Sequence, residues 1–302
     1  MTGYLSREYA ESLGEWGVPL ELPRSGGWLL VRGIQGGERD AMGLYPRFCC
    51  QDWSQLADDL QILTEATQPL VSVALVTDPF ADLNESELTS CFSDRCKPFK
   101  THFTVDLSQS PAEFVSSHHR YYTRVAQRTV QVEVIEQPAA FLDEWDVLYA
   151  HLAQRHNLRG IKRFSPTAFA QQLAVPGIVA FRAYDASGTV GAQLWYVQGD
   201  YAYNHLAAFT PEGYKANASY ALYHYSLDYF FQRVRWLDLG ASAGLDPASD
   251  DGLSRFKRGW SNCTRRVFFA GKILDPRRYQ ELCRDKNLSS SYFPLYRDGE
   301  LA

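Results

Sequence analysis

Four stretches of the chain hold chemically capable residues at telling spacings. In 251–260, DGLSRFKRGW, Lys257 follows Phe256 and stands three residues before Trp260. Apolar neighbours of this kind bury a lysine stem and bring its ammonium to a partly desolvated turn, although a solvated helical lysine is the plainer alternative. In 237–244, LDLGASAG, Asp238 ends a short apolar run ahead of a small-residue loop that includes Ser242. A carboxylate there either orients a base or caps the strand end. In 201–209, YAYNHLAAF, Tyr203 and His205 lie in mid-strand. Histidine titrates near neutrality and suits general-base work, but a buried, satisfied histidine is commoner. In 210–219, TPEGYKANAS, Gly213 permits close backbone approach, Lys215 adds charge, and Asn217 or Ser219 is placed to cap a helix. That segment reads as an anion grip or as a plain capping loop.

Other chemistries are set aside by what the chain lacks. HExxH, GxSxG and GxxxxGK[ST] are absent, which removes the simplest metalloprotease, serine-hydrolase and nucleotide-hydrolase readings. Cys49, Cys50, Cys91, Cys96, Cys263 and Cys283 form no CxxC pair, so reduced thiols and no metal site are expected. His118 and His119 would point about 100° apart on a helix, a poor geometry for a shared metal. A net charge of −5 argues against a nucleic-acid coat and against DNA as a partner. Locally, 118–128 (HHRYYTRVAQR, with Arg124 and Arg128) and 255–266 are basic. The N-terminus shows no signal-peptide pattern, and no apolar run reaches the ~18 residues of a membrane span, so a cytoplasmic protein is expected.

These residues need elements to hold them. With 302 residues, 45% hydrophobic and 22% charged, the chain suits one large or two ordinary globular domains. The first ~25 residues lack clear periodicity. Residues 28–34 then predict a strand and 45–50 a weaker extended stretch. Trp53, Leu56, Leu60 and Leu63 predict an amphipathic helix over 54–65. Residues 70–77 (LVSVALVT) predict a buried strand, 86–92 a short helix and 99–107 a strand. Pro111 opens a helix that should run to about 128, followed by a strand at 130–135, a helix from 138 to about 155 and a short helix from Ser165. Hairpin-sized turns then separate strands at 178–184, 189–198 and 201–209. A helix over 218–233, a strand at 236–239, a helix at 251–259, a strand at 265–270 and a last helix from Pro276 complete the series.

From Val130 to Ala270 the order is β-α-α-β-β-β-α-β-α-β, the element order of a GNAT (N-acetyltransferase-like) domain. The first half, β-β-α-β-α-β, matches the later part of the same series and suggests a degraded internal duplication. The strand ending DLG, followed by GL–FKRGW, resembles the C-terminal signature of Fem-type acyltransferases. That group includes peptidoglycan bridge-forming aminoacyltransferases and acetyltransferases of exopolysaccharide clusters. The basic helix before a V-x-V-x-V strand is similar to the group's RR-N-RRA helix, and the resemblance covers about 99–270. It implies a tandem GNAT-like α/β (α+β) fold with a mixed central sheet. Residues 1–128 would be a degenerate half and 129–302 the complete acyltransferase domain.

By the same resemblance, two parallel strands part to admit an acyl donor whose pyrophosphate sits at a helix N-terminus. The strands would be 201–209 and 236–239, and the grip would involve Gly213, Lys215, Asn217 and Ser219. Lys257 stands at the group's FKR lysine, facing a phosphate or the developing oxyanion; His205 and Asp238, read from their own strand positions and not from the resemblance, complete the expected catalytic set. Arg124, Arg128, Tyr203 and Ser242 would contact substrate. His118-His119 and Tyr121-Tyr122 depart from the arginine-rich pattern, which leaves the acceptor undefined. The Gln/Arg-x-x-Gly-x-Gly/Ala acetyl-CoA signature is missing from 210–219.

The expected function is N-acyl transfer from acyl-CoA, a co-substrate and not a tightly bound cofactor, to an amine of a sugar, cell-wall precursor or peptide. Aminoacyl-tRNA is the less favoured donor, because no helical stretch is long enough for a coiled-coil arm. The alternative is an inactive module holding a glycan or peptide, with Tyr214 and Lys215 plugging the groove.

Overall fold

The computed structural model describes residues 1–242, 251–284, 286 and 290–300. Ala243 and Gly244 of the small-residue loop lie outside the described residues. In chain order the elements are α1 (Arg7–Glu11), β1 (Val18–Leu22), β2 (Gly27–Gly33), β3 (Arg39–Gly43), α2 (Leu56–Glu65), β4 (Ser72–Val76), α3 (Glu85–Cys91) and β5 (Arg95–Asp106). Next come α4 (Pro111–Phe114), α5 (Ser117–Ala126), β6 (Gln131–Ile135), α6 (Leu142–His156), α7 (Pro166–Gln172), β7 (Ile178–Asp185), β8 (Gly188–Gln198) and β9 (Tyr201–Phe209). The chain continues with α8 (Pro211–Lys215), α9 (Ala218–Phe230), β10 (Trp236–Asp238), α10 (Gly252–Arg258), β11 (Cys263–Ile273) and α11 (Pro276–Leu282).

Most of the expected elements are present, and the departures have local causes. β1 lies where no periodicity is legible, because among the described residues it pairs only with β2 and can therefore carry Pro19 at a sheet edge. The strand expected at 45–50 sits earlier, as β3. The helix expected from Pro111 to 128 breaks at Val115 and Ser116, which are extended, and Ser116 starts α5 by accepting a hydrogen bond from the His119 amide. Part of the expected loop 210–219 is itself helical, as α8.

The chain divides into two compact units, Tyr9–Phe99 with Arg266–Ala302 and Met1–Glu8 with Lys100–Arg265. This corrects a boundary at 128/129. The buried face of α5 (His119, Thr123, Ala126) belongs to the second unit, and the chain beyond Arg265 returns to the first. There β11 pairs antiparallel with β4, and Arg297 forms a bidentate bridge to buried Asp40 at 2.6 and 2.7 Å.

In the first unit the strand order is β1-β2-β3-β4-β11, over a core that includes Leu29, Phe48, Leu56, Leu60 and Leu75. In the second unit the order is β5-β10-β9-β8-β7-β6. One face of that sheet carries α9 and α5, packed through Phe103, Phe181, Trp195, Leu222, Leu227 and Trp260. In both units a parallel strand pair is joined by a crossover helix: β3-α2-β4 and β9-α9-β10. The last strand of each half closes the sheet of the other unit, β5 beside β10 and β11 beside β4. Among the described residues, no helix is long and apolar enough to cross a membrane.

Candidate active site

Strands β9 and β10 are joined by three parallel rungs, Trp236↔Tyr201, Leu237↔Ala202 and Asp238↔Tyr203. Beyond Asp238 they part. The chain after β10 stays with β5, where the Leu239 amide donates to the Phe103 carbonyl at 2.9 Å and the Phe103 amide to the Gly240 carbonyl at 3.0 Å. β9 continues from Asn204 to Phe209 without a further rung to β10. Among the described residues the β9–β10 ladder therefore ends at Asp238↔Tyr203. β9 also carries a bulge, because Trp195 opposes Asn204 whereas Leu194 opposes Leu206, leaving His205 unmatched. Such an irregularity re-aims side chains and interrupts the ladder.

Above the opening lies the start of α9. Thr210 caps α8 by accepting from the Gly213 amide at 3.0 Å, and Asn217 then links α8 to α9 in the left-handed conformation (φ 58°, ψ 31°). Asparagine tolerates this region better than most residues. Among the described residues the Asn217 side chain makes no capping hydrogen bond to α9, whose first turn contains no acidic residue. Helix-start amides without a side-chain cap favour an anion. Ser219 is half-buried in that first turn, and Lys215 is exposed. Gly213 is explained by packing, since a Cβ there would lie 2.0 Å from the Val190 carbonyl oxygen. Tyr214 packs on Phe209 with ring centroids 5.3 Å apart, beneath the Arg155 guanidinium at 4.2 Å.

The C-terminal end of β10 gathers the polar groups. Asp238 is fully buried. Its carboxylate accepts from the Gly240 amide at 2.8 Å and lies 2.9 and 3.0 Å from Nδ1 of His102. Lys257 is only 9% exposed, and its Nζ donates to the Ala241 carbonyl at 2.8 Å. Gly240 has φ +79°, and a Cβ on it would lie 3.0 Å from that Nζ, so the position suits glycine on both counts. Lys100 Nζ donates to the Ser242 carbonyl at 3.3 Å, and burial pushes its pKa down. Tyr223 of α9 donates to Asn204 Oδ1 at 3.2 Å. Burial, then the Asp238 charge, pushes the Tyr223 phenol up, so it stays a donor.

The structure therefore brings Asp238, Lys257 and Ser242 together at one strand end, with Asn217 and Ser219 at the start of α9. His205 is committed elsewhere: Nδ1 lies 3.0 Å from the Tyr4 hydroxyl and Nε2 3.2 Å from Gln172 Oε1. Tyr203, 1% exposed, packs on Tyr4 in the same network. Both are core residues here. Arg124 and Arg128 are exposed at the end of α5. His119 ties α5 to α10 through Ser116 Oγ (2.7 Å) and the Phe256 carbonyl (2.9 Å). Among the described residues, no His, Cys, Asp and Glu cluster is arranged to hold a metal ion.

His102 is the site residue that the sequence hides. Alternation over 99–107 places it in a strand, but nothing local says that this strand pairs with β10 and brings Thr104 opposite Asp238.

No protein-family profile matches the chain, and no curated protein matches it in sequence. Solved structures do. FemX aligns over 91% of this chain and 93% of its own, with 12% identity and a TM-score of 0.66. The C-terminal domain of a putative lysylphosphatidylglycerol synthetase from Agrobacterium fabrum aligns over 92% and 89%, with 15% identity and a TM-score of 0.64. L-PGS from Bacillus licheniformis aligns over 90% and 93%, with 15% identity and a TM-score of 0.59. This chain thus shares the α/β fold of FemX and of the lysylphosphatidylglycerol synthetase domain over about nine-tenths of its length, in line with the Fem-like fold expected from the sequence.

Proposed function

We propose that this protein is an N-acyltransferase that moves an acyl group from a coenzyme A thioester to an amine on a sugar, cell-wall precursor or peptide. The observation that carries the reading is the parting of β9 and β10 after Tyr203 and Asp238, beneath the start of α9. A narrow donor arm fits between strand edges whose backbone groups are not used in a mutual ladder. Its pyrophosphate would meet the first amides of α9, with Asn217 and Ser219 beside it and Lys215 adding charge.

In the reaction the amine nitrogen attacks the thioester carbonyl carbon, and negative charge collects on the carbonyl oxygen. Lys257, held by the Ala241 carbonyl, is the fixed cation assigned to that charge. The C–S bond then breaks. The thiolate leaves with the bonding pair and takes the proton that the amine nitrogen loses, giving an amide and free CoA. Ser242, and Arg124 and Arg128 on the outer surface, are assigned to the acceptor.

An aminoacyl group is the second reading, favoured by structural neighbours named for lysylphosphatidylglycerol synthesis. Tyr214 lies on Phe209 and Lys215 is exposed, an arrangement that supports an open groove over a plugged, inactive one. Calorimetric titration with acetyl-CoA, longer acyl-CoA esters and charged tRNA tests the proposal. Saturable CoA-ester binding with amide formation on an amine panel is expected. Binding of charged tRNA alone would move the donor to the second reading, and binding of neither would remove transfer altogether.

A further inference from the structure

The aromatic residues of α5 take no part in the transfer chemistry above, and they lead to the start of α9. Tyr220 lies in the first turn of α9, one residue after Ser219, and its carbonyl accepts from Thr123 Oγ1 of α5 at 3.4 Å. The Tyr122 ring stacks on Tyr220 with centroids 5.2 Å apart and planes inclined by 29°. Tyr121 then meets Tyr122 edge-on at 5.3 Å, and His118 lies 4.7 Å from Tyr122 on the turn before. The series runs from the helix start to rings at the surface. Tyr220 and Tyr122 are half-buried, His118 is exposed, and Tyr121 is 56% exposed. A large ring left in water and braced by a second ring offers flat apolar area at little further cost in side-chain entropy. α5 also contains no carboxylate that would repel an anionic ligand.

We propose that Tyr121 and Tyr122, braced by Tyr220, form a stacking platform for the adenine base of the coenzyme A thioester. The proposal rests on the coenzyme A reading. In that molecule the adenosine hangs from the end of the pyrophosphate opposite the acyl-bearing arm. A pyrophosphate at the first amides of α9 therefore leaves the base within one nucleotide's length of the helix start. By contrast, Tyr214 of α8, on the chain just before α9, is already covered. The Arg155 guanidinium lies 4.2 Å from the centre of its ring, and Phe209 packs on it at 5.3 Å. Tyr121 keeps more than half of its surface in water. A purine on an aromatic ring is held by dispersion and by surface withdrawn from water, and neither needs a dedicated hydrogen bond. The placement also separates the two donors. In a charged tRNA the acyl group is esterified to the terminal adenosine itself, so that base would accompany the reacting carbon into the opening, with no pyrophosphate between them.

The test is calorimetric titration of the full chain with acetyl-CoA and with S-acetyl-4′-phosphopantetheine, which keeps the thioester arm and one phosphate but has no adenosine. The wild type should bind acetyl-CoA the more tightly. Tyr121→Ala, at an exposed position, should weaken acetyl-CoA by about 5–100-fold, the range of one base–ring stack, and leave the phosphopantetheine ester as in the wild type. Comparing variants on each ligand isolates the base, because the phosphates are the same on both sides of the comparison. Tyr121→Phe should recover the acetyl-CoA affinity, since the ring and not the hydroxyl carries the stack. Equal losses on both ligands in Tyr121→Ala, or no loss on either, overturn the platform and leave the transfer reading intact. A loss specific to acetyl-CoA that appears in Tyr214→Ala and not in Tyr121→Ala puts the base on α8 and has the same consequence. A wild type that binds neither ligand removes the coenzyme A reading and the platform together.

Discussion

The two parallel strand pairs of this molecule have the same connectivity and opposite contents. In the second unit the β9–β10 ladder stops at Asp238 among the described residues, and α9 starts after Asn217, whose side chain makes no capping bond there, with no carboxylate in its first turn. In the first unit the chain after β3 turns back into the corresponding place. There the Phe48 amide donates to the Val76 carbonyl at 2.8 Å, Phe48 forms a parallel bridge with Thr77, and its fully buried ring meets Trp53 edge-on at 5.5 Å. The helix start is filled as well. Asp52 accepts from the Ser54 amide, Asp58 and Asp59 occupy the first turn of α2, and buried Asp59 accepts from the Arg24 and Ser25 amides. The start of α2 thus carries acidic charge of the chain itself. One supersecondary unit is packed on its own side chains, and in the proposed function the other offers its helix start to an outside partner.

The largest expected effect is at the open site. Lys257→Ala should reduce kcat/KM by about 10²–10³-fold while the thermal transition persists, since the loss is of charge aimed at the oxyanion. Steady-state kinetics with acetyl-CoA check this, and wild-type-like activity would remove Lys257 from the mechanism. Next, Phe48→Ala in the closed unit should cost about 3–5 kcal/mol in denaturant unfolding, because it empties a buried ring site. Calorimetry of the same variant should still find one acetyl-CoA site per chain, as Asp58 and Asp59 continue to guard α2; a second site would show that the ring alone keeps the first unit shut. Smaller still is Ser219→Glu, which gives α9 the kind of charge α2 already carries. It should weaken acetyl-CoA by about 1–2 kcal/mol through repulsion of phosphate, yet raise ligand-free stability by about 0.3–1 kcal/mol through the helix dipole. Opposite signs in the two measurements are the signature, and equal signs would mean that the pyrophosphate lies elsewhere.

How much of this was legible in the sequence follows from the range of the forces involved. Strands β7, β8 and β9 carry their own alternation and turn residues, so their positions could be read locally. Lys257 and Asp238 stand in short motifs whose neighbours signal burial. The meeting of His102 with Asp238 depends on a pairing between strands more than 130 residues apart, and no local pattern encodes it. His205 looked like a base because its strand borders the opening. Its engagement by Tyr4 depends on an N-terminal segment whose few residues carry no periodicity. Gly213 appeared to be a phosphate residue, whereas its lack of a side chain answers to the Val190 carbonyl across the sheet. The exchange of β5 and β11 between units likewise moved the domain boundary, because the hydrophobic pattern of a strand does not name its partner.

The two units should also differ in their response to acid. All seven histidines of the chain lie between residues 102 and 224, within the second unit. His119 is buried, and burial pushes its pKa below the ordinary histidine value, while its ring nitrogens hold Ser116 and Phe256. Its folded pKa is therefore lower than its unfolded one. As pH falls through about 6.5, the unfolded chain takes up a proton that the folded protein still refuses, so stability declines until the lower folded pKa is reached. Above that window His119 is neutral in both states and contributes no slope. For one proton the slope has a ceiling of about 1.4 kcal/mol per pH unit. Urea midpoints between pH 5 and 7.5 should fall on acidification in the wild type, and His119→Gln should lower the neutral-pH value by about 1–2 kcal/mol through its lost hydrogen bonds while flattening the pH dependence. An unchanged slope in the variant would mean that the acid sensitivity arises from another group, and α5 would then be held to α10 by its aromatic contacts and not by a neutral imidazole.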